Sequence, residues 1–422
     1  MGVFDNGIRR YQLILGSIFA AASIAYILVV NQAGIESEAA KVYFPYADEL
    51  MRGVIPNVEY PPFAMVFMAI PRLFSADPFG YMVVFVAEAA VFFFVGLLII
   101  GKLAKRYNQS QRKVMLVYTI LMLLMIEFVL DRYDIFPAIL TLLSLYCFVT
   151  KRYIWAFALL SLATMTKLYP AVLFPVYLIP FLMNRDWPNT LKGTGVFFVV
   201  AILTALPLLL AGSDALSYFI SYHMDRPMQI ESVAASFISV ASMLGITDVH
   251  IGFGFGSDNL IGQWPDAVAP FLTPLIVAAL AVFYVLYAYI ISRIRREKQD
   301  NENNRMILLG AVAILSVSAF MIFGKVFSSQ YIIWLIPFII FALMTSIDYV
   351  HKNRIFWMSV AAIALTQLNF ALNVGVSGGG EGITDAGMLI ILARNIVMII
   401  LAAYIIKIVK ESFCKRRNTA LD

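Results

Sequence analysis

The chain has only two cysteines and three histidines, and Asp, Glu, Lys and Arg together make up 14% of its 422 residues. Each shortage excludes something. Cys147 falls inside an apolar run and Cys414 near the C-terminal end, so a disulfide framework is not expected. His223 and His250 have no companions at zinc-ligand spacing, which argues against a histidine zinc site. So little charge beside 61% hydrophobic residues excludes an ordinary soluble globular protein. The net charge of +5 follows a membrane pattern and is no sign of a nucleic-acid partner. No separate soluble domain is visible, and residues 1–422 read as a single integral membrane domain.

What is present is a succession of apolar runs near the length that crosses about 30 Å of hydrocarbon. Breaking them at charges, Pro and Gly predicts about twelve transmembrane helices, near 11–30, 79–101, 114–130, 135–150, 154–167, 169–184, 194–211, 270–292, 306–323, 330–347, 355–373 and 387–407. The 154–184 stretch reads either as two short helices or as a re-entrant hairpin. The first run follows Arg9 and Arg10 without a convincing cleavage site and is expected to stay as an anchor.

Lys and Arg accumulate on the cytoplasmic side of membrane proteins. With a cytoplasmic N-terminus, this map puts all but eight of the 31 cations on inner segments, among them Lys415, Arg416 and Arg417. Both termini are then cytoplasmic and the protein belongs in the cell membrane. That agreement requires the apolar piece 61–74 to lie at the outer surface as a short helix. Two long outer loops result, 31–78 and 212–269. The remaining cations are Lys41, Arg52, Arg72, Arg132, Lys167, Arg226, Lys325 and Arg394. All but Arg394 fall in outer loops or at outer span ends, where they either snorkel to the interface or face a shared polar cavity.

The first outer loop, "GIESEAAKVYFPYADELMRGVIPNVEYPPFAM", carries Glu36 and Glu38, then a helix-like stretch stopped by Gly53. Pro61 and Pro62 force an extended backbone at Tyr60, beside Glu59, and could start the short surface helix. "VLDRYDIFPA" sets Asp131, Arg132 and Asp134 at an outer junction, as a site or as an internal ion pair. In "ATMTKLYPA", Lys167 stands alone among apolar residues and needs an anion, either a carboxylate or a phosphate. "YHMDRPMQIESVAAS" offers His223, Asp225, Arg226, Gln229 and Glu231 within nine positions, and Arg226 could clamp a phosphate or pair with a neighbouring acid. "FGKVFSSQYIIWLIP" adds Lys325, Ser328, Gln330 and Tyr331.

These five blocks, in this order over residues 36 to 340, resemble the glycosyltransferase family 87-like membrane proteins of the GT-C superfold. The resemblance implies an all-α polytopic membrane protein with a GT-C-like fold and short surface helices in its two long outer loops. It also implies transfer of a hexose, most often mannose, from a polyprenyl-phosphate-sugar donor to a lipid or glycan acceptor at the outer face, usually with inversion. Under this reading Arg226, His223, Lys167, Arg132, Lys325, Asp131, Asp134, Glu231, Gln330 and Tyr60 bind the donor's phosphate and sugar. The family pattern has an Asp four residues before the Tyr that matches Tyr43, where this chain has Ala39. Glu38 is then the expected base, Glu36 next, with Glu59 and Asp48 as fallbacks. Glu36 and Glu38 could also hold a magnesium or manganese ion through oxygen ligands. The competing readings are a secondary transporter, for which Glu88 and Glu127 are the acids at membrane depth, and a non-catalytic binder or flippase of lipid-linked sugars.

Overall fold

A computed structural model describes residues 2–210, 213–373 and 383–414. Residues 211–212, at the expected end of one span and start of the second outer loop, lie outside that range, as do Lys415, Arg416 and Arg417. The chain is mostly helical and folds into two compact units that are each discontinuous in sequence. One comprises Met1–Phe174, Pro188–Arg226 and Ser329–Ile340, and the other Pro175–Trp187, Pro227–Ser328 and Phe341–Asp422.

Among the described residues, seven helices are long and apolar enough to cross a membrane: Asn6–Ala33, Pro78–Arg106, Trp187–Leu210, Gln263–Arg296, Glu302–Ile322, Tyr349–Leu372 and Asp385–Phe413. They coincide with seven of the twelve expected spans. The other five expected spans correspond to elements shorter than these, so twelve spans are not supported. The 114–130 run breaks into Gln111–Leu123 and Ile126–Asp131 around Met125, which leaves the helical region. The rest are the apolar helices Ile135–Val149, Tyr153–Thr166, Tyr169–Asn184 and Ser329–Met344. Ile135–Val149 has 15 residues, so it extends only about 22 Å at the α-helical rise.

In the first unit, the Pro78–Arg106 helix starts where Asp77 accepts the Gly80 N–H at 2.9 Å and Pro78 sits at the first helical position. Aromatic rings from two neighbouring helices stack against its Phe93: Phe19 at 3.8 Å and Tyr118 at 5.2 Å. Gly96 makes this approach feasible, because a Cβ there would collide with the Tyr118 hydroxyl. Residues 31–78 form a π-helical turn Ala39–Tyr43, the helix Phe44–Met51 and the helix Ala64–Arg72. A short helix is therefore present in the expected stretch, but it begins after Phe63, so Pro61 and Pro62 precede it instead of occupying its first turn.

The second unit contains a β-hairpin that an all-α reading of the outer loop misses. His250–Gly254 pairs antiparallel with Ser257–Ile261, with Phe255 and Gly256 both left-handed at the turn (φ 53° and 66°). Two successive positive φ values match the twist of a two-residue hairpin. The hairpin packs through Leu260 onto Met228, Ala235, Ile238 and Leu272, all buried. Ser232 caps the following Val233–Met243 helix by accepting the Ala235 N–H at 3.2 Å.

The same unit buries Arg394 completely in the Asp385–Phe413 helix. Its guanidinium donates to the Glu231 carboxylate at 2.7 Å and to the Glu231 carbonyl at 2.6 Å, and it lies 4.2 Å from the Phe327 ring. Asn395 beside it donates to the Ser236 hydroxyl at 3.0 Å. A charge buried this deeply is tolerated because it is paired and its donors are satisfied. Arg394→Met should therefore destabilise the protein by about 3–5 kcal/mol. The Arg394→Met/Glu231→Gln double variant should lose less than the two single losses combined, as read by thermal midpoints in detergent.

Candidate functional site

The first unit draws four of the conspicuous sequence blocks together. The Ile126–Asp131 helix ends at Asp131, Arg132 is extended, and Ile135–Val149 begins directly after Asp134. This short junction places three charged side chains in three directions. Asp131 accepts the backbone N–H of Glu38 at 3.1 Å and of Ala39 at 3.4 Å. A carboxylate from elsewhere in the chain thereby satisfies orphan donors at the start of the Ala39–Tyr43 turn. Burial pushes the Asp131 carboxyl above its usual range, while Arg132 and the two N–H donors pull the other way.

Arg132 pairs with the Glu38 carboxylate at 2.5 Å. Asp134 is almost fully buried and its Oδ1 accepts two bonds of 2.6 Å each, from Lys167 Nζ and from Trp334 Nε1. Among the described residues, Asp134 Oδ2 has no hydrogen-bond partner. The partner of Lys167, left open between carboxylate and phosphate by the sequence, is thus a carboxylate. Its ammonium also lies 4.6 Å from the Tyr133 ring and 5.1 Å from both Tyr331 and Trp334. Trp334 is itself stacked between Tyr331 at 3.7 Å and Tyr169 at 4.2 Å.

Tyr60 continues this aromatic wall, 4.8 Å from Tyr133 and 6.0 Å from Tyr43. Burial raises all three phenols well above the ordinary tyrosine value, so they remain neutral hydrogen-bonding groups. Beside Tyr60, the Glu59 carboxylate accepts from the Tyr46 hydroxyl at 2.8 Å. Tyr222 is pushed up to about 12, by burial first, with Glu59 adding to the rise and Arg226 opposing it.

Tyr60 also lines an apolar groove of about 550 Å³ formed by residues 50–73 and the Trp187–Leu210 helix, with Val66 and Ala69 from the former and Leu203, Thr204 and Pro207 from the latter. A volume of this size is ordinary for a small-molecule site. The Tyr60 ring lies 4.8 Å from that of Tyr133, which in turn lies 4.6 Å from the Lys167 ammonium.

The other expected site residues are placed differently. Glu36 is exposed, and Asp48 is spent on Arg52 at 2.5 Å and Arg72 at 2.9 Å. His223 is exposed, with Nδ1 2.8 Å from the Phe219 carbonyl, and Arg226 lies 5.7 Å from the Tyr222 ring. Gln330 lies in the turn Ser329–Tyr331 that carries Tyr331. Glu231 and Lys325 belong to the second unit. Glu231 is bound to Arg394, and the Lys325 carbonyl accepts the Gln229 N–H at 2.9 Å.

A divalent ion on Glu36 and Glu38 does not suit this donor set. Glu38 faces Arg132, Glu36 is exposed, and no group of three or more His, Cys, Asp or Glu among the described residues could hold a metal. Sequence reasoning gave no role to Trp334 or Tyr133, although both lie inside blocks it singled out. It also gave no role to Arg394, although a lone cation within a predicted span is a signal in itself.

A family model described as Glycosyltransferase family 87 matches residues 58–323. The matched region contains Glu59, Tyr60, Asp131, Arg132, Asp134, Lys167, His223, Arg226 and Glu231, and it leaves out Glu36, Glu38, Lys325 and Gln330. No curated protein matches the chain.

Because Asp134 depends on Lys167 for charge and on Trp334 for a second donor, the two losses should differ. Lys167→Met strands a buried carboxylate and should cost about 3–5 kcal/mol. Trp334→Phe keeps a ring in the stack but removes the N–H, for a cost of about 1.5–3 kcal/mol. Thermal midpoints of the two purified variants check this order.

Proposed function

Since the chain belongs to glycosyltransferase family 87, we propose that it transfers a hexose, mannose foremost, from a polyprenyl-phosphate-sugar to a lipid or glycan acceptor with inversion. In this reading the fold is GT-C-like, the termini face the cytoplasm of a cell-membrane protein, and loops 31–78 and 212–269 work at the outer face. The observation that carries it is the apolar groove lined by Tyr60, whose ring lies 4.8 Å from Tyr133, which in turn lies 4.6 Å from the Lys167 ammonium. A lipid-linked phosphate needs that pairing of hydrocarbon surface and cationic end.

The donor's phosphate sits between Arg132 and Lys167. As the bond between the anomeric carbon and the phosphate oxygen breaks, negative charge grows on the departing polyprenyl phosphate, and cations fixed in advance stabilise that state more than the ground state. The phosphate competes with Glu38 for the Arg132 guanidinium, whose planar fork suits it. Glu38, released from its ion pair, takes the acceptor hydroxyl proton while the acceptor oxygen bonds to the anomeric carbon from the face opposite the phosphate. Tyr43, Tyr60 and Tyr133 offer neutral hydroxyls and ring faces to the sugar. Glu59 is the next candidate for the base, because it is held by a neutral phenol and not by a cation.

One observation favours transport as a second reading: both carboxylate oxygens of Glu88, inside the Pro78–Arg106 helix, are buried without a hydrogen-bond partner among the described residues. Turnover decides between them. Purified protein in lipid should transfer labelled mannose from polyprenyl-phosphate-mannose, unaffected by EDTA. Glu38→Gln should lower kcat by about 10²–10⁴-fold with donor binding retained, and Glu36→Gln should leave the rate near wild type. Loss with Glu59→Gln but not Glu38→Gln would move the base to Glu59. Failure to transfer from any lipid-linked sugar would overturn the proposal.

A further inference from the structure

The second unit carries a cationic cluster that the transfer chemistry does not use. The Tyr349–Leu372 and Asp385–Phe413 helices pack together, and the first turns of one meet the last turns of the other around Tyr404. The Tyr404 hydroxyl lies 2.7 Å from His351 Nδ1 and accepts from Arg354 at 3.4 Å. The Arg354 guanidinium and the Lys407 ammonium lie 5.7 Å and 5.8 Å from the Tyr404 ring. Glu411, one turn beyond Lys407, lies 3.4 Å from His351 Nε2. His351 and Glu411 thus form an end rung between the helices, and Arg354 and Lys407 each sit one turn deeper. Among the described residues, neither Arg354 nor Lys407 forms an ion pair; Tyr404 is the partner of both.

Two cations gathered on one neutral ring repel each other and favour an anion between them. Lys352 and Lys410 flank the pair and add to the positive field, against which residues 345–357 and 404–414 set only Asp348 and Glu411. The ground below the cations is apolar. Trp357, one turn past Arg354, is 59% exposed, and Ile400, one turn before Tyr404, is 50% exposed. An exposed Trp just inside a ring of cations suits the depth at which headgroups meet acyl chains. A free anion has no use for that apolar ground, whereas an anionic phospholipid carries its phosphate directly above its chains. We propose that Arg354 and Lys407 hold the phosphate of an anionic phospholipid, with its acyl chains against Trp357 and Ile400.

The test places the full-length protein in phosphatidylcholine vesicles with increasing fractions of brominated phosphatidylglycerol. Quenching of Trp357 is read as the difference between each protein and its Trp357→Phe counterpart. Half-quenching should need an about 25-fold smaller mole fraction of brominated phosphatidylglycerol than of brominated phosphatidylcholine. Arg354→Gln and Lys407→Gln should each raise that fraction about fivefold. Glu411→Gln removes an opposing acid and should lower it about twofold. Because two substitutions weaken binding and one strengthens it, a general loss of structure does not produce this pattern. Equal quenching by the two lipids, or no change with Arg354→Gln and Lys407→Gln, would overturn the proposal. So would weaker binding with Glu411→Gln, which would make the cluster a packing device. Displacement of the brominated phosphatidylglycerol by inorganic phosphate, beyond that caused by chloride at equal ionic strength, would assign the site to a free anion and overturn it too.

Discussion

The Asp134–Lys167 pair governs the first unit. Two opposite charges taken out of water in so apolar a chain are bearable only at close range and with further donors at hand. The 2.6 Å contact between them and the Trp334 N–H on the same oxygen meet both requirements. Trp334 in turn needs its rings in register with Tyr169 and Tyr331, and Lys167 needs the Tyr133 face. Segments separated by two hundred residues are thereby tied to one point. A pair of this kind adds little stability over a well-packed apolar core. Its use is positional, since it holds a cation at a defined place beside an aromatic wall.

The same constraint recurs with other residues. Arg394 in the second unit fixes the Glu231 segment and the Phe327 ring, and Asp131 in the first fixes the Glu38–Ala39 backbone. In each case a charge inside an apolar unit is answered by a carboxylate, a guanidinium or a backbone dipole from a distant part of the chain. With charged residues making up only 14% of the chain, their pairings decide where the segments between long helices are anchored, while the long helices supply a uniform apolar scaffold.

This division explains what the sequence made legible. Long apolar runs gave away the seven long helices, because length and hydropathy are local properties. The 135–150, 154–167, 169–184 and 330–347 runs were equally apolar, and helices do form there at nearly those bounds, Ile135–Val149 among them, but each is shorter than the seven long ones. Nothing local distinguishes those from spans. The hairpin at 250–261 was hidden in a Gly-rich stretch whose decisive feature is a left-handed Phe255, a conformation that a Phe does not advertise. The charge clusters were legible as clusters. Their pairing was not, since Trp334 looks like any interfacial aromatic until its N–H meets Asp134.

Ala39 shows how packing reshapes a site that sequence alone leaves ambiguous. The family resemblance expects an acid there, yet Ala39 is fully buried and its backbone N–H is directed at the Asp131 carboxylate. An acid at this position would need burial beside a carboxylate already committed to the same turn, with like charges in low dielectric. The adjacent Glu38 avoids the conflict. Its backbone N–H joins Asp131 while its side chain reaches Arg132. One residue thus serves both the fold, through its amide, and an ion pair, through its carboxylate. Under the transfer proposed above, that carboxylate would be freed only once a phosphate had taken its place on Arg132, so the base would be exposed at the moment of use.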